Sequence, residues 1–376
     1  MIFLYILYLL LGLYFIFLVF ILIGTFRLRQ PEKSSIYNNI SVIIAARNEE
    51  DNIASLMESL VNQNYPEDKY EIITISDRST DRTDLILKEY SKKYKNIHYF
   101  RIEQEDKNLI GKKNALTKGI ENSNGDILLF TDADCLPGKN WIKSINQKFN
   151  EDFDAVVGYS PLISDKKRSL WEELIFTLRK LERLSIFVIS AGTIGWNWGV
   201  TATGRNFGYK RKVFDKLNGF SGIGHIPSGD DDLFLQKISK SKLYKISFAI
   251  GQDSFVSSIE RKNAKEQYNQ EIRRASKWRF YPAKIKIFSA LIFIFYLILF
   301  VAFILTIFSI LSLVNFLFIF IVKILIDFFI VFRGAVLFKE KRLLLVFPLA
   351  EVFYIPYFLI FGLLGIMTKY KWRINN

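Results

Sequence analysis

The feature that most constrains this chain is an apolar run near its start, Ile2 to Ile23, which contains no charged residue. A helix of about 20 apolar residues is long enough to cross the hydrocarbon core of a bilayer. Arg27 and Arg29 follow the run, whereas a cleaved signal peptide carries its basic residues before a shorter apolar core. The sequence therefore predicts an uncleaved anchor over residues 1–26, with the segment that follows on the cytoplasmic side.

A second apolar block, Ile285 to Phe338, is too long for one span and is interrupted at Ser312–Asn315, so it predicts two helices. Leu343–Met367 is a third candidate and follows the basic turn Lys339–Arg342. These segments define a C-terminal membrane region over residues 285–368. We expect one transmembrane helix before the intervening segment and three after it.

The last apolar segment leaves two alternatives open. A full span would place Lys369, Lys371 and Arg373 outside, against the positive-inside bias. Glu351 and Pro356 inside the segment suit an irregular, protein-buried or re-entrant path. A true span and a re-entrant segment are both retained as hypotheses.

Charge and cysteine content bear on partners and compartment. A formal net charge of +14 suits nucleic acid, an anionic membrane face or phosphate-bearing substrates, and the predicted spans favour the last two over nucleic acid. The single cysteine, Cys135, excludes an internal disulfide, which agrees with a reducing compartment. We therefore expect an integral protein of the plasma (inner) membrane, with membrane lipids as partners and its polar domain in the cytoplasm.

Between the apolar regions, residues 38–281 alternate short β-rich runs with polar helical patterns. This alternation is typical of an α/β fold. Ligands of open α/β sheets gather where the strands end. The predicted strands are 41–45, 71–75 and 126–130, and the predicted helices between them are 51–61 and 81–94.

Three acidic clusters lie at the ends of predicted elements, and each has an alternative explanation. Asp77 ends a strand, where it could accept hydrogen bonds from a base or ribose, or simply belong to a capped loop. Asp132 and Asp134 point to one side of an extended segment, which suits a hard divalent cation but also a solvated turn. Asp230 and Asp231 precede a helical pattern, where a carboxylate could act as a general base or compensate the helix dipole.

A fourth cluster is basic and has helical spacing. Gln270, Arg273 and Arg274 could present one face to diphosphate oxygens, and Trp278 is a residue type common at membrane interfaces. A basic interfacial helix without a ligand is the alternative. The earlier amphipathic segment from Leu170 to Ser190 could likewise lie in the headgroup layer or face a protein core.

Ionisable residues also occur inside a predicted span. Lys323 and Asp327 stand four residues apart, and residues of this kind in lipid are usually paired and face the helix bundle. Arg333 fits a helix end whose side chain reaches the interface. No site is predicted there.

The order and spacing of the four clusters resemble the membrane-bound branch of the family-two glycosyltransferases, which have the GT-A (Rossmann-like) fold. Ser41–Glu50 is similar to that family's opening strand and loop, Gly111–Leu116 to its glycine-lysine helix start, and Thr203–Lys210 to its acceptor-side segment. The resemblance covers roughly residues 40–280. It implies a metal-dependent inverting transferase that moves a sugar from a nucleotide-sugar donor to a lipid-linked or membrane-associated acceptor, in cell-wall or polysaccharide biosynthesis.

The resemblance also implies roles for individual residues. Asp231 would be the general base, and Asp134 would be the ligand of Mg2+ or Mn2+. The residues expected to bind the nucleotide sugar are Ala45, Arg47, Glu49, Asp77, Lys112, Asp132 and Asp134. Those expected to bind the acceptor or the diphosphate are Arg205, Asn206, Asp230, Gln270, Arg273, Arg274 and Trp278.

Two positions depart from the family pattern. Ser76 stands where many members have an aspartate, and Arg274 stands where the polymerising members have a tryptophan. The second departure favours addition of one or a few sugars over processive polysaccharide synthesis, which is retained as an alternative. A non-catalytic membrane protein that binds nucleotides or lipid head groups is a further alternative.

Overall fold

The computed structural model describes residues 1–260 and 264–367, so Lys369, Lys371 and Arg373 lie outside the described residues. The chain folds into two compact units. An α/β unit comprises residues 28–165 and 194–260, and a helical unit comprises residues 1–27, 166–193 and the described residues from 264 onward. Two segments that the sequence analysis grouped with the α/β domain, 166–193 and 264–281, thus belong to the helical unit.

The three strands and two helices predicted between residues 41 and 130 are present, with ends that differ by up to two residues. The strands are β1 (Ile40–Ala46), β2 (Tyr70–Asp77), β3 (Ile97–Ile102), β4 (Ile127–Phe130), β5 (Cys135–Pro137), β6 (Ala155–Gly158), β7 (Leu162–Ile163), β8 (Phe207–Lys210), β9 (Ile246–Ala249) and β10 (Val256–Ile259). The helices are α1 (Ile2–Phe26), α2 (Ile53–Val61), α3 (Thr83–Lys93), α4 (Lys112–Glu121), α5 (Trp141–Asn150), α6 (Leu170–Ile194), α7 (Arg211–Lys216), α8 (Asp232–Ser241), α9 (Ala264–Ser276), α10 (Ala283–Ile307), α11 (Leu313–Leu337) and α12 (Phe347–Met367).

A seven-stranded sheet in the order β3-β2-β1-β4-β8-β6-β9 forms the centre of the α/β unit. Side chains alternate along β1, so the strand presents apolar groups to both faces. Val42 and Ile44 belong to the same buried cluster as Leu56 of α2, whereas a side chain at Gly119 of α4 would collide with Ile43. Helices therefore pack on both faces of this mixed Rossmann-like sheet.

One edge of the sheet gathers the ends of several strands. β1 pairs in parallel with β2 and with β4, so these three strands finish at the same edge. β8 runs antiparallel to β4, with Phe207 opposite Phe130, so β8 starts at this edge. Because the chain continues to β2 on one side of β1 and returns as β4 on the other, this edge is a topological switch point, where open α/β sheets bind ligands.

The helical unit contains four helices that are long and apolar enough to cross a membrane by length and composition. They are α1, α10, α11 and the stretch Lys341–Met367, which begins with the 3-10 turn Lys341–Val346 and continues as α12. One such helix before the α/β unit and three near the C-terminal end confirm the predicted set. Pro356 lies inside α12, which is helical to Met367, and Glu351 of the same helix is buried. The choice between a full span and a re-entrant segment stays a prediction.

Small residues allow the helices of this unit to approach closely. A side chain at Gly192 of α6 would collide with the backbone carbonyl of Ile21 in α1, and one at Gly334 of α11 would collide with Val188 of α6. Small residues at such crossings are typical of membrane helix packing. The second half of α6 therefore faces a protein core, whereas Trp171 near its start is exposed.

A buried polar cluster links all four apolar helices. Lys323 of α11 is fully buried and pairs with Asp327 at 2.9 Å and with Glu351 of α12. Tyr14 of α1 donates a hydrogen bond to Asp327 at 2.6 Å, and its hydroxyl lies 3.2 Å from that of Tyr296 in α10. The expected pairing of Lys323 and Asp327 inside the bundle is confirmed.

Candidate active site

The predicted acidic pair follows β4 directly at the switch point. Lys112, the first residue of α4, pairs with the carboxylate of Asp132. Gly111, the residue just before α4, has a φ of +69°, a backbone conformation that glycine adopts without strain. Burial alone would raise the pKa of Asp132, but Lys112 and Arg205 hold it below its usual value. Asp132 is therefore a carboxylate with cationic neighbours on two sides.

Arg205 approaches the same carboxylate from the loop before β8. Its Nε lies 3.9 Å from Asp132, and among the described residues this buried nitrogen has no hydrogen-bond partner. A buried donor left without a partner costs about 1–3 kcal/mol. Arg205 is thus a group that an anionic ligand at the switch point would satisfy.

Asp134 comes two residues after Asp132, next to the small sheet formed by β5, β10 and β7. The thiol of Cys135 lies 3.6 Å from its carboxylate, and burial with the nearby carboxylates raises the pKa of that thiol well above its usual value. Within the described ranges, no three His, Cys, Asp or Glu side chains form a cluster that could hold a metal ion alone. One or two carboxylates nevertheless suffice for Mg2+ when substrate phosphates and waters complete its coordination.

The acidic series before α8 reaches the same edge. Asp231 caps α8, accepting a hydrogen bond from the backbone amide of Asp232 at 2.7 Å and another from that of Gly204 at 3.0 Å. The carboxylate of Asp230 lies 3.9 Å from the Nζ of Lys112. Burial, together with the charge of Asp231, raises the pKa of Asp230 above its usual value despite that lysine.

A small cavity lies between Asp230, Asp231 and the sheet. Asp230 and Asp231 line it together with Gly204, and the rest of its wall is apolar. The other lining residues are Leu116, Phe130, Phe207 and Tyr209. Lys112 lies between Asp132 and Asp230 and contacts both. The second and third acidic clusters, about a hundred residues apart in sequence, are thereby brought together.

Lys113 is a functional candidate that the sequence analysis left without a role. Its side chain is buried, and its Nζ donates to the backbone carbonyls of Ile226 at 2.5 Å and Ser228 at 2.9 Å. The lysine thus fastens the loop that leads into Asp230 to the start of α4. Its position next to Lys112 in the glycine-lysine motif was the one signal available in the sequence.

Asp77 ends β2 at the same edge, but its carboxylate is engaged by its neighbour. The Nε of Arg78 lies 2.8 Å from Asp77, and a nitrogen of the same guanidinium lies 3.2 Å from Glu105. Ala45, Arg47 and Glu49 belong to the end of β1 and the loop after it, and all three are half-buried.

Asn206 is placed differently from the expectation that it binds a ligand. It is 1% exposed, and its amide nitrogen donates to the carbonyls of Tyr159 at 3.0 Å and Ser254 at 2.7 Å. Its amide oxygen accepts from the indole nitrogen of Trp141 at 3.1 Å. Every polar group of the Asn206 side chain is thus used within the protein, just before β8 begins, and its expected contact with the acceptor or the diphosphate stays a prediction.

The predicted basic cluster lies in the helical unit. Gln270, Arg273 and Arg274 are on α9 and are half-buried, and Trp278 is in the 3-10 turn Lys277–Phe280 that follows. Arg274 forms ion pairs with Glu182 of α6 and with Glu271, the latter at 2.5 Å. Its guanidinium thus holds two protein carboxylates, and the expected contact with anionic groups of a substrate stays a prediction.

Comparison with known proteins agrees with this architecture. Residues 41–218 match the family model described as Glycosyl transferase family 2. The probable glycosyltransferase YdaM of Bacillus subtilis is 34% identical over 48% of this chain and 42% of its own length. The beta-monoglucosyldiacylglycerol synthase of Nostoc sp. is 31% identical over 35% of this chain and 28% of its own length. The matches thus cover less than half the length of these relatives.

Among solved structures, a mannosyltransferase from Pyrobaculum calidifontis in complex with GDP-Man and Mn2+ is similar over 97% of this chain and 96% of that protein. Its TM-score is 0.57 at 16% sequence identity, so the likeness concerns the fold alone. The family match runs from β1 to the end of α7, so it covers β1, β2, β4 and β8 at the switch point but not Asp230 and Asp231. Residues 41–218 therefore match the family 2 glycosyltransferases, and the mixed Rossmann-like sheet of the α/β unit is of the GT-A type.

Proposed function

We propose that this protein is a metal-dependent inverting glycosyltransferase that moves a sugar from a nucleotide-sugar donor to a lipid-linked or membrane-associated acceptor. The observation that carries the proposal is the position of Lys112 between Asp132 and Asp230 at the switch point of the sheet. A donor with a charged diphosphate needs cations beside the carboxylates that handle its ribose and metal. This site supplies both kinds of group.

The donor would lie across the ends of β1, β2 and β4. In this proposal Asp77 contacts the base, the loop formed by Ala45, Arg47 and Glu49 borders the nucleoside, and Asp132 contacts the ribose. The cationic groups of Lys112 and Arg205 would face the diphosphate. The unpartnered Nε of Arg205 supports an anionic ligand here, because guanidinium groups bind phosphate oxygens well.

A divalent metal fits the donor set of this site when it is shared with the donor. Asp134 would hold Mg2+ or Mn2+, with diphosphate oxygens and waters as the remaining ligands. When bound, the metal supplies positive charge that stabilises the departing nucleoside diphosphate. The Mn2+ in the Pyrobaculum calidifontis mannosyltransferase complex is compatible with this assignment.

Asp231 would act as the general base. Its two backbone hydrogen bonds fix the carboxylate beside the small cavity, so the group needs no reorganisation before it accepts a proton from the acceptor hydroxyl. The raised pKa of the neighbouring Asp230 indicates that a second negative charge is disfavoured beside Asp231. Asp230 would then contribute to acceptor binding by hydrogen bonding.

The acceptor would be borne by lipid. Four helices with the length and composition of membrane spans support this view, as does similarity to a synthase whose name describes a glucosyl lipid product. Gln270, Arg273 and Trp278 of the basic cluster would bind the diphosphate and the acceptor end. The reaction would take place on the cytoplasmic face of the plasma (inner) membrane.

The deciding experiment measures nucleoside diphosphate release by the purified full chain in lipid nanodiscs. A panel of UDP- and GDP-sugars is supplied with a membrane lipid extract, with Mg2+ or Mn2+ or with a chelator. We expect metal-dependent release with at least one donor, and a mass increase of one sugar or a few on a lipid. Absence of release with every donor, by protein that is folded in a thermal scan, would contradict the proposal.

A further inference from the structure

Helix α9 is docked closely on α12. A side chain at Gly365 of α12 would collide with Ala275 of α9 and lie 2.8 Å from its carbonyl carbon. One turn away, the ring of Tyr268 meets that of Phe361 edge-on, with 5.8 Å between ring centroids. The two backbones are therefore in contact, and any displacement of α9 must break this packing.

Arg274 joins α9 to two further surfaces at once. Its guanidinium pairs with Glu182 of α6 and with Glu271 of α9, and Glu271 is also hydrogen-bonded to Tyr357 of α12. The side chains of Glu182 and Glu271 are 17% and 23% exposed, whereas that of Arg274 is 41% exposed, so the two carboxylates are better shielded from water than the arginine. We name this set of four residues the α9 clamp.

The electrostatics of the clamp depend on the arginine. Burial by itself would lower the pKa of Arg274, but Glu182 and Glu271 outweigh it and raise that pKa. Burial, with Glu182 nearby, raises the pKa of Glu271 even though Arg274 opposes the shift. Two carboxylates thus pair with the Arg274 guanidinium, while Arg179 has a smaller effect of the same sign on Glu271. Loss of Arg274 would leave like charges facing each other with less compensation.

We propose that Arg274 is a positioning residue, which holds α9 against α6 and α12 so that Gln270 and Arg273 of the same helix are fixed for the reaction. The inference rests on the proposed function, because Gln270 and Arg273 bind substrate only in that proposal. Gln270 lies one helical turn before Arg274, and Arg273 is its neighbour. The position that carries a tryptophan in polymerising relatives would here serve the protein's own packing.

The alternative is that Arg274 itself binds an anionic part of the substrate. That role would require its two ion pairs to exchange for contacts with the ligand, leaving Glu182 and Glu271 without their cation. Arg274→Lys would keep the positive charge but lose the planar guanidinium that contacts two carboxylates at once, so it would disturb both roles. A substitution that moves the cation to another helix separates the two roles more sharply.

The test is a charge exchange across the clamp. Arg274→Glu places three carboxylates together, whereas the double variant Glu182→Arg with Arg274→Glu restores one cation between two carboxylates. Glu182→Gln is a milder variant that should fold in any case, and Glu173→Gln, on an exposed part of α6, is its matched control. Two readouts are taken in nanodiscs: amide hydrogen exchange of residues 266–276 without donor, and donor KM and kcat.

We expect Arg274→Glu to speed exchange in α9 by about tenfold and to raise donor KM, and the double variant to restore both to within about threefold of the parent. Glu182→Gln should show a smaller effect of the same kind, and Glu173→Gln none. If the double variant restores the exchange rates but not KM, Arg274 contacts the substrate and the proposal is overturned. Unchanged exchange in both Arg274→Glu and Glu182→Gln overturns it too. A parent without transfer activity would contradict the proposed function, while the exchange measurements still decide whether the clamp exists.

Discussion

The carboxylate of Asp231 accepts a hydrogen bond from the backbone amide of Gly204 at 3.0 Å. This bond fastens the N-terminal end of α8 to the loop that carries Arg205 into β8. The proposed base and the unpartnered guanidinium nitrogen are thereby held by one local arrangement, although 27 residues separate Asp231 from Gly204. A substitution at Asp231 is therefore expected to change both proton transfer and the geometry of the loop that carries Gly204 and Arg205.

Asp231→Asn should lower kcat by about 100-fold or more, because the amide cannot take the proton from the hydroxyl of the acceptor substrate. The asparagine keeps the shape but has one acceptor oxygen, so one of the two backbone bonds is lost and a small decrease in Tm is also expected. Donor affinity should change little. The measurement is initial rate against donor concentration, with Asp253→Asn on the surface as a control. Donor affinity that falls in step with rate would make Asp231 a binding residue.

Asp134→Ala should abolish metal-dependent turnover, because a single remaining carboxylate, Asp132, already paired with Lys112, holds a hard cation poorly. The check is activity after chelation and stepwise return of Mn2+ or Mg2+. Asp134→Glu, which keeps the charge, should retain part of the activity at higher metal concentration. Full activity of Asp134→Ala in stripped and restored samples would remove Asp134 from the metal site.

Asn206→Ala should lower the free energy of unfolding by about 2–3 kcal/mol, because the indole nitrogen of Trp141 loses its acceptor and the carbonyls of Ser254 and Tyr159 each lose a donor. Donor KM, measured below the lowered Tm, should stay close to that of the parent. Urea unfolding of the α/β unit, followed by tryptophan fluorescence, provides the stability value. A stable variant with weakened donor binding would return Asn206 to the substrate site.

Lys323→Met should destabilise the helical unit by about 3–5 kcal/mol, because Asp327 and Glu351 lose the cation that both contact. Replacing all three residues together, with Lys323→Met, Asp327→Leu and Glu351→Leu, should recover most of that loss. Thermal scans in one detergent compare the two variants with the parent. Equal damage in the single and triple variants would mean that the cluster contributes more than charge pairing.

The products should carry one sugar or a few rather than a long polymer. Arg274 occupies the position where a tryptophan of polymerising relatives would meet a growing chain, and its guanidinium is paired with Glu182 and Glu271. Mass spectrometry of lipid products, made by the purified protein without partners, measures chain length. Long homopolymer under these conditions would favour the processive alternative.

The strands and the acidic clusters could be predicted because their signals are local. The apolar run at Ser41–Ala45 reports a buried strand wherever it occurs, and a carboxylate directly after such a run reaches the strand end. The α/β alternation then predicts parallel strands, whose ends bring Asp77 and Asp132 to the same edge of the sheet. Family-like spacing added the expected roles, which the geometry of the fold alone does not assign.

The side-chain contacts that the sequence did not predict share a physical cause, which is dependence on distant partners. Asn206 has the polar side chain of a binding residue, but its three partners lie 47 to 65 residues away and turn it into a structural group. Arg274 and Glu182 are 92 residues apart, so no local pattern indicates their pairing. The role of α6 was similarly undetermined, because amphipathic spacing does not distinguish a protein core from a headgroup layer.

The contact of Gly192 with the backbone of Ile21 bears on how this protein can be handled in the laboratory. Trimming the chain to begin at Leu28 is a common route to a water-soluble fragment of a single-anchor enzyme. In this protein such trimming would expose the surface of α6 around Gly192 and would remove Tyr14, which donates a hydrogen bond to Asp327. The first helix is thus a packed member of the helical unit. We expect preparations of the chain with α1 present, in lipid or detergent, to retain the native arrangement.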